Sequence, residues 1–141
     1  MWGNGVPANL GLAEYWLTKA VDAGNEWAVL NLGELYVEGG SYPTALKWFN
    51  KALESSNTQL RANAMNGIGK LYQKEGDTRK SVIWWQQAAE LGDSAAQVYL
   101  GYAYLNGNGI SRNLELAKKW LTKAAEQGDE WAQEGLDELN E

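Results

Sequence analysis

The chain has 141 residues, 45% of them apolar and 21% charged, which is the composition of one folded domain and excludes a disordered polymer. It has no Cys and no His, so disulfides, thiolate zinc sites, a Cys nucleophile and an imidazole general base are all excluded. The net charge is −6, with seven acids and no base from Glu126 to Glu141, which argues against nucleic acid and anionic lipid as partners; no apolar run is long enough for membrane insertion.

In chain order, apolar residues at helical spacing predict eight helices of two alternating kinds, B and A. They are B about 10–23, A 26–38, B 43–55, A 59–74, B 77–91, A 94–106, B 113–127 and A 130–139. The B helices carry Trp16, Trp48, Trp84 and Trp120, each four residues before an alanine, at spacings of 32, 36 and 36. The A helices carry Ala28, Ala64, Ala96 and Ala132, each followed four residues later by Leu32, Ile68, Leu100 or Leu136. In the first three, a glycine comes next (Gly33, Gly69, Gly101), then Tyr36, Tyr72 or Tyr104. Two interleaved series with a period in the thirties predict an all-α helix–turn–helix solenoid.

The punctuation agrees with this division. Gly24-Asn25, Gly92-Asp93 and Gly128-Asp129 follow B helices, and Gly76-Asp77 follows an A helix; each pairs a left-handed helix stop with the cap of the next helix. Pro43 opens a B helix, where its missing N–H is tolerated. Recurrence of Gly33, Gly69 and Gly101 at one register, against a propensity cost of about 1 kcal/mol each, predicts close packing on a neighbouring helix. Four extra residues fall near Ser55–Thr58, as a longer turn or an added helical turn, and four more in the loop Asn106–Ile110.

The segment Ala96, Leu100, Gly101, Tyr104, Gly107, Gly109, Ile110, Asn113, Ala117, Trp120, Leu121, Lys123, Ala124, Ala125, Gly128 resembles a complete Sel1-like repeat. Gly3, Gly5 and Val6 through Trp16, Leu17, Lys19, Ala20 and Gly24 resemble the second half of another. Residues 28–91 lack the Gly-x-Gly-Val turn, and their shorter loops are more like those of tetratricopeptide repeats. The resemblance implies a right-handed α-α superhelix, a single domain over 1–141. It would comprise a partial repeat 1–25, repeats 26–57, 58–93 and 94–129, and a capping helix 130–141, with a truncated N-terminus. It also implies a non-catalytic scaffold or adaptor that binds a protein or peptide. Alternatives are a bacterial immunity protein that neutralises a secreted toxic effector, and a regulatory repeat domain of a longer protein. Residues 1–3 lack the basic start and apolar run of a signal peptide, and the compartment stays open between bacterial cytoplasm and periplasm.

Trp16, Trp48, Trp84 and Trp120 are expected in the core, as is Trp85, which shares its register with Leu17, Phe49 and Leu121. Gly67-Ile68-Gly69-Lys70 has a phosphate-loop flavour, but Leu71 stands where Ser or Thr is needed and the segment lies inside a helix. Asn106–Gly109 reads as a tight turn rather than an anion nest. Asp129, Glu130, Glu134, Asp137 and Glu138 read as a solvated acidic face rather than a cation site. No catalytic, cofactor or metal residue is assigned.

Trp27 and Trp131 sit where the repeat core requires no tryptophan. By analogy with tetratricopeptide repeats, the concave face is expected to carry Trp27, Leu30, Glu34, Glu38, Lys70, Lys74, Val98, Tyr102, Trp131 and Glu134. Such a face would suit a partner with a basic segment. The first B helix lacks a preceding A helix, so its apolar stripe is expected to promote self-association.

Overall fold

Asparagine and aspartate side chains begin six of the helices. Asn25, Asn57, Asp77, Asp93, Asn113 and Asp129 each accept a hydrogen bond from a backbone N–H two or three residues on, satisfying donors that a helix start leaves unpaired. The computed structural model describes residues 2–140, with side chains from residue 10 onward. These residues form α1 (Trp2–Asp22), α2 (Glu26–Glu38), α3 (Tyr42–Ala52), α4 (Thr58–Lys74), α5 (Thr78–Glu90), α6 (Ser94–Asn106), α7 (Leu114–Glu126) and α8 (Glu130–Leu139). No strand occurs among the described residues.

The A helices α2, α6 and α8 have the expected bounds. Helix α4 is four residues longer than α2 or α6, so the insertion near residue 57 is an added helical turn. Helix α1 differs: it begins at Trp2 rather than near residue 10. In the last repeat, Gly107 and Gly109 take φ of 69° and 74° because the chain must turn from α6 into α7, and Asn113 N–H bonds Tyr104 C=O at 2.9 Å. Residues 3–7 have no described helix before them to turn away from, and the helix continues through them.

Each helix packs on its neighbours in sequence, and the A helices also meet across repeats, α2 on α4 and α6 on α8. The core is three successive clusters: one across α2, α3 and α4, one across α5, α6 and α7, and one across α6, α7 and α8. Their centres are Phe49, Trp85 and Leu121. The glycines explain how such side chains fit. A Cβ on Gly33 would lie 2.7 Å from the Phe49 ring, one on Gly101 would lie 2.6 Å from Leu121, and one on Gly69 would overlap the Trp85 indole. The following A helix closes two of these sandwiches with a second glycine, Gly67 on Phe49 and Gly135 on Leu121. In the middle repeat the same register holds Tyr99, which stacks on Trp85 with ring centroids 4.9 Å apart.

The recurrent tryptophans are therefore not the core centres. Trp48, Trp84 and Trp120 are half-buried, one position before Phe49, Trp85 and Leu121 and so about 100° round the helix from them. Trp84, on α5, reaches back onto the first cluster, so this register joins repeats. Lysines cover outer faces: the Lys51 ammonium lies 5.9 Å from the Trp48 ring centre, and that of Lys119 lies 4.9 Å from Trp120. Trp16, in the same register, is 61% exposed because no described helix pair precedes α1. Leu12 and Tyr15 beside it are also exposed. A Tyr36–Glu14 hydrogen bond ties α1 to α2.

A polar chain links the last two repeats. Buried Gln97 donates its amide to Ala89 C=O at 3.2 Å. The Gln127 amide donates to Gln97 Oε1 at 2.9 Å and to Gly92 C=O at 3.0 Å.

Candidate functional site

The A helices α2, α4, α6 and α8 line one face, and two of the hollows among them concern the site, beside a smaller one between α4 and α6. The first, about 540 Å³, lies between α2 and α4 and ends at the start of α6. Glu34 and Glu38 form one wall, Asn63, Asn66, Lys70 and Lys74 the other, and Asp93 the end. Beneath its floor lies the fully buried Phe49 ring, against Gly67.

The charges in this hollow act on one another without direct pairing. Lys70 and Lys74 make no ion pair among the described residues. Lost hydration raises the Glu34 carboxyl above its ordinary pKa; Lys70 opposes the shift and Glu38 adds to it. Lost hydration likewise raises Asp93, against the hydrogen bond from Ala96 N–H and the charge of Lys70. The buried Oδ1 of Asn66 has no hydrogen-bond partner among the described residues. Among the described residues, this hollow thus presents two ammonium groups outside any ion pair and an amide oxygen without a partner, which suits a polar, hydrogen-bonding ligand.

The second hollow, about 440 Å³, is apolar and aromatic and lies between α6 and α8. Ala95 and Val98 form its floor, Tyr99, Tyr102 and Trp131 its walls, and Asp129 its acidic end. Helix α6 places Val98, Tyr99 and Tyr102 within little more than one turn. The Tyr102 hydroxyl donates to Trp131 C=O at 3.0 Å, fixing the phenol against α8. Its pKa is raised by lost hydration and by the carboxylates of Glu138, Glu134 and Asp129. Trp131 is 68% exposed. Tyr99 separates the hollows, with the Lys70 ammonium 5.7 Å over its ring.

Of the residues expected on this face, Glu34, Glu38, Lys70 and Lys74 come together in the first hollow, and Val98, Tyr102 and Trp131 in the second. Glu134 is exposed on α8 and contributes charge rather than lining. Trp27 is 41% exposed and lines neither hollow. Leu30 requires correction: it is 4% exposed and packs in the first cluster, because α3 and α4 cover that side of α2. Tyr102 lines the second hollow and also packs on the third cluster and bonds α8, so it has a structural part as well. Tyr99, Asp93 and Asp129 were missed. Tyr99 had a signal in the sequence, a tyrosine at the register where α4 and α8 have glycine. Among the described residues, no group of three or more acids is placed to hold a metal ion, and no helix is long and apolar enough to cross a membrane.

Segments 1–25, 28–57, 62–93 and 94–129 match the Sel1 repeat family. The DAP3-binding cell death enhancer 1 of Rattus norvegicus is 37% identical over 94 residues, covering 65% of this chain and 18% of that protein. The chitin synthase regulator SKT5 of Saccharomyces cerevisiae is 43% identical over 58 residues, 41% of this chain and 8% of that protein. Among solved structures, c5321, a protective antigen of uropathogenic Escherichia coli with an SLR fold, superposes with a TM-score of 0.70 at 33% identity, over 87% of this chain and 27% of that one. A Sel1 repeat protein from Oxalobacter formigenes gives a TM-score of 0.67 at 34% identity, over 84% and 50%.

Proposed function

Since the chain belongs to the Sel1 repeat family, whose members are generally protein–protein interaction modules, we propose that it is a non-catalytic module holding a partner segment along the concave face. The observation that carries this reading is that, among the described residues, the exposed Lys70 and Lys74 form no ion pair and the buried Asn66 Oδ1 has no hydrogen-bond partner. A buried acceptor without a donor costs about 1–3 kcal/mol, which a bound segment recovers. By name, the rat relative binds another protein and the yeast relative regulates one. The chain spans less than a fifth of either, and this share favours a second reading, a regulatory repeat segment within a longer protein.

Capture from the native cell tests the proposal, comparing the parent chain with Lys70→Glu/Lys74→Glu on the concave face and Lys51→Glu/Lys119→Glu on the outer one. The concave pair should lose the partner and the outer pair should keep it. Equal retention by both variants refutes the concave-face assignment.

A further inference from the structure

The hollow between α6 and α8 holds an exposed tryptophan that repeat packing does not require. Trp131 projects from the first turn of α8, 68% exposed, and takes part in no aromatic or cation–π pair among the described residues. Beside it lie the rings of Tyr99 and Tyr102 over an apolar floor of Ala95 and Val98. Asp129 closes one end. One of its carboxylate oxygens caps α8 through Ala132 N–H at 3.1 Å, and the other makes no hydrogen bond among the described residues. Glu134 and Glu138 add negative charge that reaches Tyr102. The Tyr99 ring already carries the Lys70 ammonium at 5.7 Å, so an incoming cation belongs on the open face of Trp131.

We propose that this hollow is a docking site for an arginine side chain of the partner, its aliphatic stem on Val98 and its guanidinium stacked on Trp131 and directed at Asp129. The chemistry selects this occupant. An anionic group meets Asp129, Glu134 and Glu138 without a countercharge in the hollow. A purely apolar side chain fills the floor but leaves the free Asp129 oxygen unanswered. A guanidinium is planar, weakly hydrated and forked, so it stacks on an indole and donates to a carboxylate together. Lys70 and Lys74 in the adjoining hollow then favour an acidic or amide group nearby in the same segment, so the face reads a charge pattern rather than general basicity.

This inference deepens the concave-face reading and rests on it, and its test needs no natural partner. The probe is a capped glycine pentapeptide with one central arginine, compared with the same peptide carrying neutral citrulline. The readout is the Trp131 indole N–H resonance, identified by its loss in Trp131→Ala. The arginine peptide should shift that resonance saturably and bind about 3- to 30-fold more tightly than the citrulline peptide, the factor expected for a cation on an indole face. Asp129→Asn, which keeps a capping oxygen, should weaken arginine binding and leave citrulline binding unchanged. Equal binding of the two peptides, or no shift at Trp131, overturns the proposal. If the arginine peptide behaves as stated while Lys70→Glu/Lys74→Glu leaves partner capture intact, the assignment of the partner to the polar hollow fails and the arginine site stands. Loss of capture together with equal peptide binding gives the reverse.

Discussion

Replacing Gly69 by alanine tests the packing rule on which the array is built. Taken alone, the change should stabilise α4 by about 1 kcal/mol, the helix propensity gained. In the structure the new Cβ would sit 2.5 Å from Cδ1 and 3.0 Å from Cε2 of Trp85, and nearer still to Nε1. Carbon atoms at rest stand about 3.5–4.0 Å apart, so the indole or the helix must retreat by roughly 1 Å. Trp85 is buried and stacked on Tyr99 at 4.9 Å, which leaves the ring little room. Overpacking of this kind costs about 1–3 kcal/mol, and after the propensity gain a net loss of about 0–2 kcal/mol remains. Gly11→Ala is the control: Gly11 lies in exposed α1 with nothing within 4 Å of its Cβ position, so the same substitution should stabilise by up to about 1 kcal/mol. Urea unfolding followed by helical circular dichroism reads both, with the slope checked for constancy. The reasoning is refuted if Gly69→Ala is as stable as Gly11→Ala.

Other outcomes follow from the same geometry. Phe49→Ala should cost about 3–5 kcal/mol in urea unfolding and Trp48→Ala clearly less, because the first empties a core centre and the second trims a half-buried, lysine-covered flank. Tyr102→Phe should cost about 0.5–1.5 kcal/mol and speed amide exchange in α8, through loss of the bond to Trp131 C=O. Glu34 and Asp93 have carboxyls raised in the fold, so the folded state holds more protons than the unfolded one just above their ordinary values of 4.5 and 3.8. Their share of stability is therefore full below those values and is lost as pH rises through the raised ones. Asp93→Asn keeps a capping oxygen and should remove its part of that slope; a parent-minus-variant difference that is flat with pH refutes the assignment. Trp27→Ala should leave the melting temperature nearly unchanged, because the indole is exposed and lines neither hollow.

The helices were legible because their signals are local. Asn25, Asp77, Asp93 and Asp129 mark helix starts within three residues, and the alanine series repeats at helical spacing. The core centre was harder to place. Trp48 and Phe49 are both large and apolar, and periodicity alone cannot decide which of two adjacent residues faces inward when the stripe is wide. The glycines decide it, since Gly33 and Gly67 leave space for one ring only, and that is a contact between neighbouring helices that the periodicity of one helix does not report. The site was half legible. Lys70 and Lys74 project where repeat geometry puts them, whereas Leu30 is covered by helices that its own segment does not encode.

The glutamine chain between the last two repeats makes the array unequal in stiffness along its length. Gln97 follows Ala96 directly, and the same place holds Val29 in α2 and Met65 in α4. Apolar contact resists separation but has no preferred angle, so the forward joints, which carry single side-chain bonds (Tyr36–Glu14 and Arg61 to Ser55 C=O), are less fixed in angle than the rear one. The Gln127 amide, held by two acceptors, fixes an angle as well as a distance, and the rear joint behaves as a bolted hinge. On the proposed binding mode, a segment along the face would meet the aromatic hollow beside the bolted joint and the polar hollow away from it, so the first would set its register and the second would accommodate differences in its sequence.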